Sequence, residues 1–404
     1  MRIRLILALI FAFLPALNAA EIEFAESVPV ETVYGSTLAA RPARMWVEMI
    51  NGAQKTLDFE EFYIADKPGE ALSPVLAAVR AAAARGVKVR FIVEKAMMKE
   101  TAKVLPGLRK EKNISVRVIN FKKLAGGGVQ HSKFFIVDGK EVFVGSQNFD
   151  WRSLVQIHET GARIKSERAA LDFGAVFEAD WAAGDKEKPE KQKFAAVKDP
   201  LNSSAPEEAT VGGAKVSYHL AFGPDRYIPK GFDTELGELL RLINGAKKTV
   251  RGQVMTYSLK GSGKKNPKWT DLDDALRAAG ERGVKVELVF SDWAVGGKAD
   301  ADIKSLARAK NVSVKISSLP RYSKAFVPFA RVEHCKYLVA DGEKAFLSTS
   351  NWARDYFLET RGAAVVLEGA AGAAPLEDIF SRTWNGPYAA PVDQAKQYTA
   401  VKKQ

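Results

Sequence analysis

Two stretches decide the fold: "HSKFFIVDGKEVFVGSQN", residues 131–148, and "HCKYLVADGEKAFLSTSN", residues 334–351. Each sets His, Lys, Asp and Asn at the same spacing, in a chain that holds only four histidines. Asp138-Gly139 and Asp341-Gly342 each separate two β-patterned runs, the signal of a tight hairpin turn. Residues two apart on a strand project to one side. The spacing therefore predicts His131 beside Lys133, and His334 beside Lys336. The returning strands bring Ser146 and Asn148, or Thr349 and Asn351, to the same end.

The repetition extends outward. "INGAQKT" (50–56) returns as "INGAKKT" (243–249), and "RGVKV" (85–89) recurs at 282–286. "NISVRV" from Asn113 is echoed by "NVSVKI" from Asn311, and Phe177 with Trp181 by Phe380 with Trp384. The separation grows from 193 to 203 positions, as loop insertions in a duplicated domain would leave it. In each copy an amphipathic helix precedes a strand, an Ala- and Leu-rich helix closed by glycine, and a β-branched strand. That order predicts two α/β/α sandwich lobes, each a mixed sheet with helices on both faces. A pseudo-twofold axis would bring their equivalent residues together. "GDKEKPEKQK" (184–193) and "SSAPEEATVGG" (203–213) fall between the copies. The predicted organisation is an N-terminal lobe over 21–195, a linker over 196–213, a C-terminal lobe over 214–392 and a tail over 393–404.

Arg2 and Arg4, the apolar run Leu5 to Leu14 and small residues up to Ala20 predict a secretory signal peptide over 1–20. The apolar run is shorter than a spanning helix needs, and because Leu17 and Asn18 make the cleavage box imperfect, a retained N-terminal anchor is the alternative. A periplasmic or secreted protein is expected. With 404 residues, 47% hydrophobic and 27% charged, the chain can bury two sizeable cores, which excludes general disorder. Cys335 is the single cysteine, so no internal disulfide forms. It alternates with His334 and Lys336 and is expected to be a small core residue. The net charge of +12 favours polyanions, either nucleic acid or peripheral contact with an anionic membrane.

If the hairpins face each other, one cleft collects His131, His334, Lys133, Lys336, Asn148 and Asn351, with Ser146 and Thr349 as substrate-binding hydroxyls. That set suits a phosphodiester. One neutral imidazole attacks phosphorus while the other, protonated, supplies a proton to the leaving oxygen. Lysines and amides neutralise the non-bridging oxygens. Glu159 and Glu359 follow the two motifs, and each is expected to orient a histidine across the interface. Asp138 and Asp341 are expected to stabilise turns, and His158 and His219, without matching partners, to serve packing or surface roles. No metal-ligand spacing is present, and no cofactor is expected.

The repeated HxK, Asp and Gly-Ser-x-Asn pattern resembles the phospholipase D superfamily, with Ser348 in the glycine position of the second copy. "GSQNFDWRSLVQIHETG", "VPFARVEHCKY", "STSNWARDYFLETRG" and "FSRTWNGPY" are similar to stretches of the animal lysosomal phospholipase-D-like 5′ exonucleases. The resemblance runs from about Met45 to Tyr388. It implies the two-lobed fold, a phosphohistidine mechanism, His131 as nucleophile and His334 as proton shuttle.

Three functions follow in order: a phosphodiesterase on single-stranded nucleic acid, a phospholipase D or phosphatidyl transferase on membrane lipid, and a decayed polyanion-binding protein. The positive balance, "GSGKKNPKW" (261–269) and Tyr322, Phe326 and Phe329 favour the first. Glu60 and Glu61 would oppose it if they faced the cleft. "SKAFVPFA" (323–330) is the candidate apolar rim that a lipid enzyme needs.

Overall fold

The computed structural model describes residues 19–186, 194, 196–261 and 267–401. Nearly all of the predicted signal peptide, residues 187–193 of the charged run and residues 262–266 of the lysine-rich loop lie outside the described residues.

In the N-terminal lobe the sheet comprises β1 (Ala20–Ser27), β2 (Thr56–Glu61), β3 (Lys88–Glu94), β4 (Ile114–Ile119), β5 (Phe134–Val137), β6 (Glu141–Gly145) and β7 (Glu159–Lys165). Its order is β4-β3-β2-β5-β6-β7-β1, parallel from β4 to β2 and antiparallel beyond. Helices α1 (Pro42–Gly52) and α2 (Ser73–Ala84) pack on one face. Each opens with a proline in its first turn, where a missing N–H costs nothing. Helix α3 (Glu167–Ala183), capped by Ser166 Oγ on the Ala169 N–H, covers the other.

The C-terminal lobe repeats the plan. It contains β9 (Ala214–Gly223), β10 (Thr249–Val254), β11 (Lys285–Ser291), β12 (Val312–Ser317), β13 (Lys336–Ala340), β14 (Lys344–Ser348), β15 (Gly362–Glu368) and β16 (Ala389–Pro391). The order is β16-β12-β11-β10-β13-β14-β15-β9. Helices α4 (Glu235–Gly245) and α5 (Asp271–Glu281) lie on the outer face and α6 (Ala370–Asn385) on the inner. Both inner sheet faces, with α3 and α6, share one core in which Phe134, Phe173, Tyr337, Leu347 and Phe380 are buried.

One segment departs from expectation. Within the predicted linker 196–213, β8 (Glu207–Val211) pairs in parallel with β1 and antiparallel with β9, joining the two sheets. Gly212 and Gly213, both at positive φ, form the turn into β9. The short strand was hidden between turn-forming residues. The tail is also tied down, because the Lys304 ammonium donates to the Lys396 carbonyl and Tyr398 packs on the C-terminal core.

Small repeated devices show why similar sequences fold alike. Asn113 and Asn311 both take left-handed φ, and their amides donate to the Ala83 and Gly280 carbonyls at 3.0 and 2.9 Å, closing the ends of α2 and α5. Asp138 and Gly139, like Asp341 and Gly342, all have positive φ, as a type I′ hairpin turn requires. The Asp138 carboxylate accepts from the N–H groups of Gln54, Lys55 and Thr56, and that of Asp341 from Lys247, Lys248 and Thr249, all within 2.8 Å. Partial burial raises these carboxyls, but the backbone donors outweigh it and hold both below the usual range. The motif aspartates latch the hairpin turn to the start of the neighbouring strand. Among the described residues, no helix is long and apolar enough to cross a membrane.

Candidate active site

Each histidine motif enters the site by pairing with the opposite lobe. Gln130 bridges to Arg361, and the His131 N–H donates to the Arg361 carbonyl at 3.1 Å. Glu333 bridges to His158, and the His334 N–H donates to the His158 carbonyl at 2.9 Å. These crossed bridges bring His131 and His334 into one cleft of about 780 Å³, which Asn148 also lines.

The two rings are held differently. His131 Nδ1 lies 3.0 Å from the Thr349 carbonyl. A carbonyl only accepts, so Nδ1 carries the hydrogen and Nε2 keeps its lone pair. Burial, followed by the charges of Lys133, Lys336 and His334, pushes the His131 pKa well below the ordinary imidazole value. His131 therefore rests neutral. His334 Nδ1 lies 2.8 Å from Glu159 Oε2, across the interface. Burial is the largest influence and lowers the His334 pKa, while the Glu159 carboxylate opposes it. An anionic substrate would add to the Glu159 side of that balance.

The lysines are fully enclosed and, with the buried Asn351, stand behind the residues that line the cleft. Lys133 Nζ donates to the His131 carbonyl at 2.6 Å and Lys336 Nζ to the His334 carbonyl at 2.7 Å. Burial, then the Lys336 charge, holds Lys133 well below its usual value, and burial pulls Lys336 down to about 8. The Asn148 Oδ1 has no protein partner among the described residues, and Asn351 is buried against Tyr356, whose ring lies edge-on to His131.

Two expectations are corrected. Ser146 and Thr349 do not line the cleft: their buried hydroxyls accept from the Thr160 and Ala363 N–H groups, each at 3.0 Å, so they fix the loop to the next strand. Glu359 does not reach His131. It ends the helical turn Arg354–Leu358, pairs with Arg354 and packs on Gly127 and Gly128. The strand register gives the reason: Gly145 opposes Gly161 while Ser348 opposes Ala364, so the true counterpart of Glu159 is Gly362. The Glu-Thr shared by the two copies is three residues out of step.

Sequence reasoning missed Glu235 and undervalued His158. Glu235 is fully buried, accepts from the Ser348 and Ser350 hydroxyls at 2.6 and 2.9 Å, and is pushed by burial to about 7 despite those donors and the nearby Lys133. Its sequence signal was only that of an acid in the first turn of a helix. His158 sits between Glu333 and Glu26, 2.8 and 3.0 Å from its two ring nitrogens. Burial would lower its pKa, but Cys335 and the two carboxylates outweigh that and raise it well above the usual value. Glu333 and Cys335 also offer metal-ligating atoms there, but both nitrogens of His158 already face carboxylates. The equivalent place in the other half holds Arg361, which makes two bonds to Asp180, at 2.7 and 2.9 Å. His219 pairs with Glu238 at 2.7 Å in a packing role, and Cys335 is a buried core residue as expected. Glu60 and Glu61 are both buried away from the cleft and raised well above the usual carboxyl range, the first by burial and Asp180, the second by burial against the pull of Lys133.

The cleft is also lined by Lys67, Lys99, Lys103 and Arg152, the last paired with Asp150, by the acidic Asp66 and Glu100, and by Trp151, Trp293 and Phe329. The Lys67 ammonium lies 5.0 Å over the Trp151 ring. Phe329 stands 59% exposed, edge-on to Trp293.

The family described as "Cardiolipin synthase, PLD-like domain" matches residues 46–181 and again 239–384. The chain belongs to the phospholipase D superfamily. It is 32% identical over 390 residues to Phospholipase D Z of Dictyostelium discoideum, covering 92% of this chain and 90% of that one. It is 30% identical over 411 residues to human 5'-3' exonuclease PLD3, covering 94% and 82%. Among solved structures, the phosphatidylserine synthase of Haemophilus influenzae superposes with a TM-score of 0.64 at 12% identity, over 92% of this chain and 87% of that one, a likeness of fold. Its relatives named phospholipase D and 5'-3' exonuclease are phosphodiester hydrolases, and the duplicated lobes of this chain place the two histidine motifs at their shared interface.

Proposed function

We propose that the protein is a periplasmic or secreted phosphodiesterase that cleaves single-stranded nucleic acid through a phosphohistidine on His131. The observation that carries the mechanism is the pair of imidazoles in one cleft, each with Nδ1 engaged and Nε2 directed elsewhere. The neutral His131 Nε2 attacks phosphorus, and the bond to the leaving oxygen breaks as that oxygen takes the proton from His334 Nε2. His334, now neutral, removes a proton from water; the hydroxide displaces His131 and the phosphate monoester leaves. Glu159 stabilises the imidazolium form of His334 in both half-reactions. Lys133, Lys336, Asn148 and Asn351 neutralise the non-bridging oxygens. The scheme calls on no metal, and activity is expected to survive a chelator.

The lysines, the exposed Phe329 ring and the half-buried Trp151 and Trp293 support the nucleic-acid reading, because such rings stack bases while cations follow the backbone. One observation favours a lipid substrate instead. Phe326, Val30 and Val33 are exposed on segments tied together where Arg331 donates to the Val30 carbonyl and Ser323 to Glu31, next to Phe329. A rim of that kind could rest on an anionic membrane. The intact His, Lys and Asn of both motifs disfavour a decayed binding protein. A side-by-side assay on a labelled single-stranded oligonucleotide and on phospholipid vesicles, with His131→Ala as control, decides the substrate. Oligonucleotide cleavage that weakens steeply with salt supports the proposal; turnover of lipid alone overturns it. Fractionation of cells expressing the full chain tests the compartment.

A further inference from the structure

The His131 ring lacks the carboxylate that holds its counterpart, and the register explains how that absence is filled. Where Glu159 stands in one half, the other has Gly362, and a Cβ there would fall 2.0 Å from Glu235 Oε2 and 2.4 Å from Ser350 Oγ. Gly223 frames the same carboxylate, its own added Cβ 2.9 Å from Glu235 Oε2. The Glu235 carboxylate therefore enters, from the first turn of α4, the space that a missing side chain leaves open. It is not needed as the helix cap, because Thr234 Oγ1 already accepts from the Gly237 N–H at 3.1 Å.

From that position the carboxylate fixes the loop 348–351 on both sides of Thr349. Ser348 donates to Oε1 and Ser350 to Oε2, while the Ser350 N–H donates back to Ser348 Oγ at 2.8 Å. Thr349 between them exchanges two further bonds with Ala363, each 3.0 Å. Its carbonyl is left pointing at His131 Nδ1. In the other half Gly145 and Gln147 occupy the two serine positions, and a Cβ added at Gly145 would meet the Gln147 amide oxygen at 2.3 Å where Gly362 meets a carboxylate.

We propose that Glu235 is the positioning residue for His131, acting through Ser348, Ser350 and the Thr349 carbonyl to fix the ring as its Nδ1–H tautomer. The inference deepens, and rests on, the reading of His131 as nucleophile. The carbonyl directs the ring, and its pull toward protonation is outweighed by burial and the lysine charges, while the Glu235 carboxyl stays one layer back, near Lys133 and Arg361.

The test labels the histidines of the full chain with ¹⁵N and compares wild type, Glu235→Gln and Gly362→Ala, the last displacing the carboxylate without altering it. The wild-type His131 ring should show Nδ1–H alone. Both variants should remain folded and show a mixture of tautomers, with kcat lowered about tenfold or more and KM within about twofold, as loss of an orienting partner gives. Should one variant fail to fold, the other carries the measurement. An unchanged His131 tautomer in a folded variant overturns the proposal even if the chain cleaves phosphodiesters. A shifted tautomer in a protein that forms no phosphohistidine leaves the positioning intact and removes the mechanism instead.

Discussion

The two halves keep the same scaffold and part company at the reacting rings. Both latch the hairpin by three N–H groups on an aspartate, and both end a helix with an asparagine at positive φ. At the site, His334 is given a carboxylate at 2.8 Å and His131 a carbonyl at 3.0 Å. A carboxylate stabilises the protonated ring, and a carbonyl gives direction with little charge. The difference teaches that duplication conserved what folding needs and released what catalysis divides: one ring is arranged to hold a proton, the other to offer a lone pair.

The sharpest way to break this contrast is to remove the rings in turn. His131→Ala and His334→Ala should each lower turnover by about three orders of magnitude or more while leaving the circular dichroism spectrum intact, and only the His334 variant should accumulate a phosphoenzyme on a substrate with a good leaving group. Equal accumulation in both would erase the division of roles. Glu159→Gln should cost about a hundredfold in kcat. It also removes the group that holds the His334 pKa up, so the alkaline limb of the rate profile should move to lower pH; the acid limb, set by His131, should stay below the ordinary imidazole range. A profile that moved on the acid side would reverse the assignment.

The seam offers a comparison of stability. Arg361 and Asp180 are completely buried, and Asp180→Ala should cost about 3–5 kcal/mol in chemical denaturation because it leaves the buried guanidinium only carbonyl partners, Gly223 and Tyr227 among them, in place of a carboxylate. The smallest effect belongs to the turn latches. Asp138→Ala and Asp341→Ala should each cost about 1 kcal/mol, since water reaches these carboxylates, with catalysis unchanged. Their pKa values are depressed in the fold. The stabilisation is therefore full above the ordinary aspartate value of 3.8 and is lost as pH falls through and below it.

Most of the fold was legible because its signals are local. An Asp-Gly between alternating strands, an Asn before a β-branched run and a glycine after an Ala-rich helix each specify one conformation wherever they occur. The meeting of His131, His334 and Asn148 in one cleft was legible through the shared spacing, and the contact of Glu159 with His334 through its place after the hairpin. Glu359 misled because it too is an acid following its motif, whereas the strand register makes Gly362 the counterpart of Glu159. Glu235 was invisible for a different reason: it lies 113 positions from Ser348 in the chain, and nothing local marks an acid at a helix start as the filler of a distant glycine's space. The strand Glu207–Val211 was lost among the turn residues around it.

The crossed bridges of Gln130 with Arg361 and His158 with Glu333 carry a last consequence. Half of this molecule, standing alone, would expose the very edge on which its own histidine depends, and only a sister copy could close it. Joining the sisters in one polypeptide made their partnership permanent. Once neither could be exchanged for the other, each was free to age into a different trade.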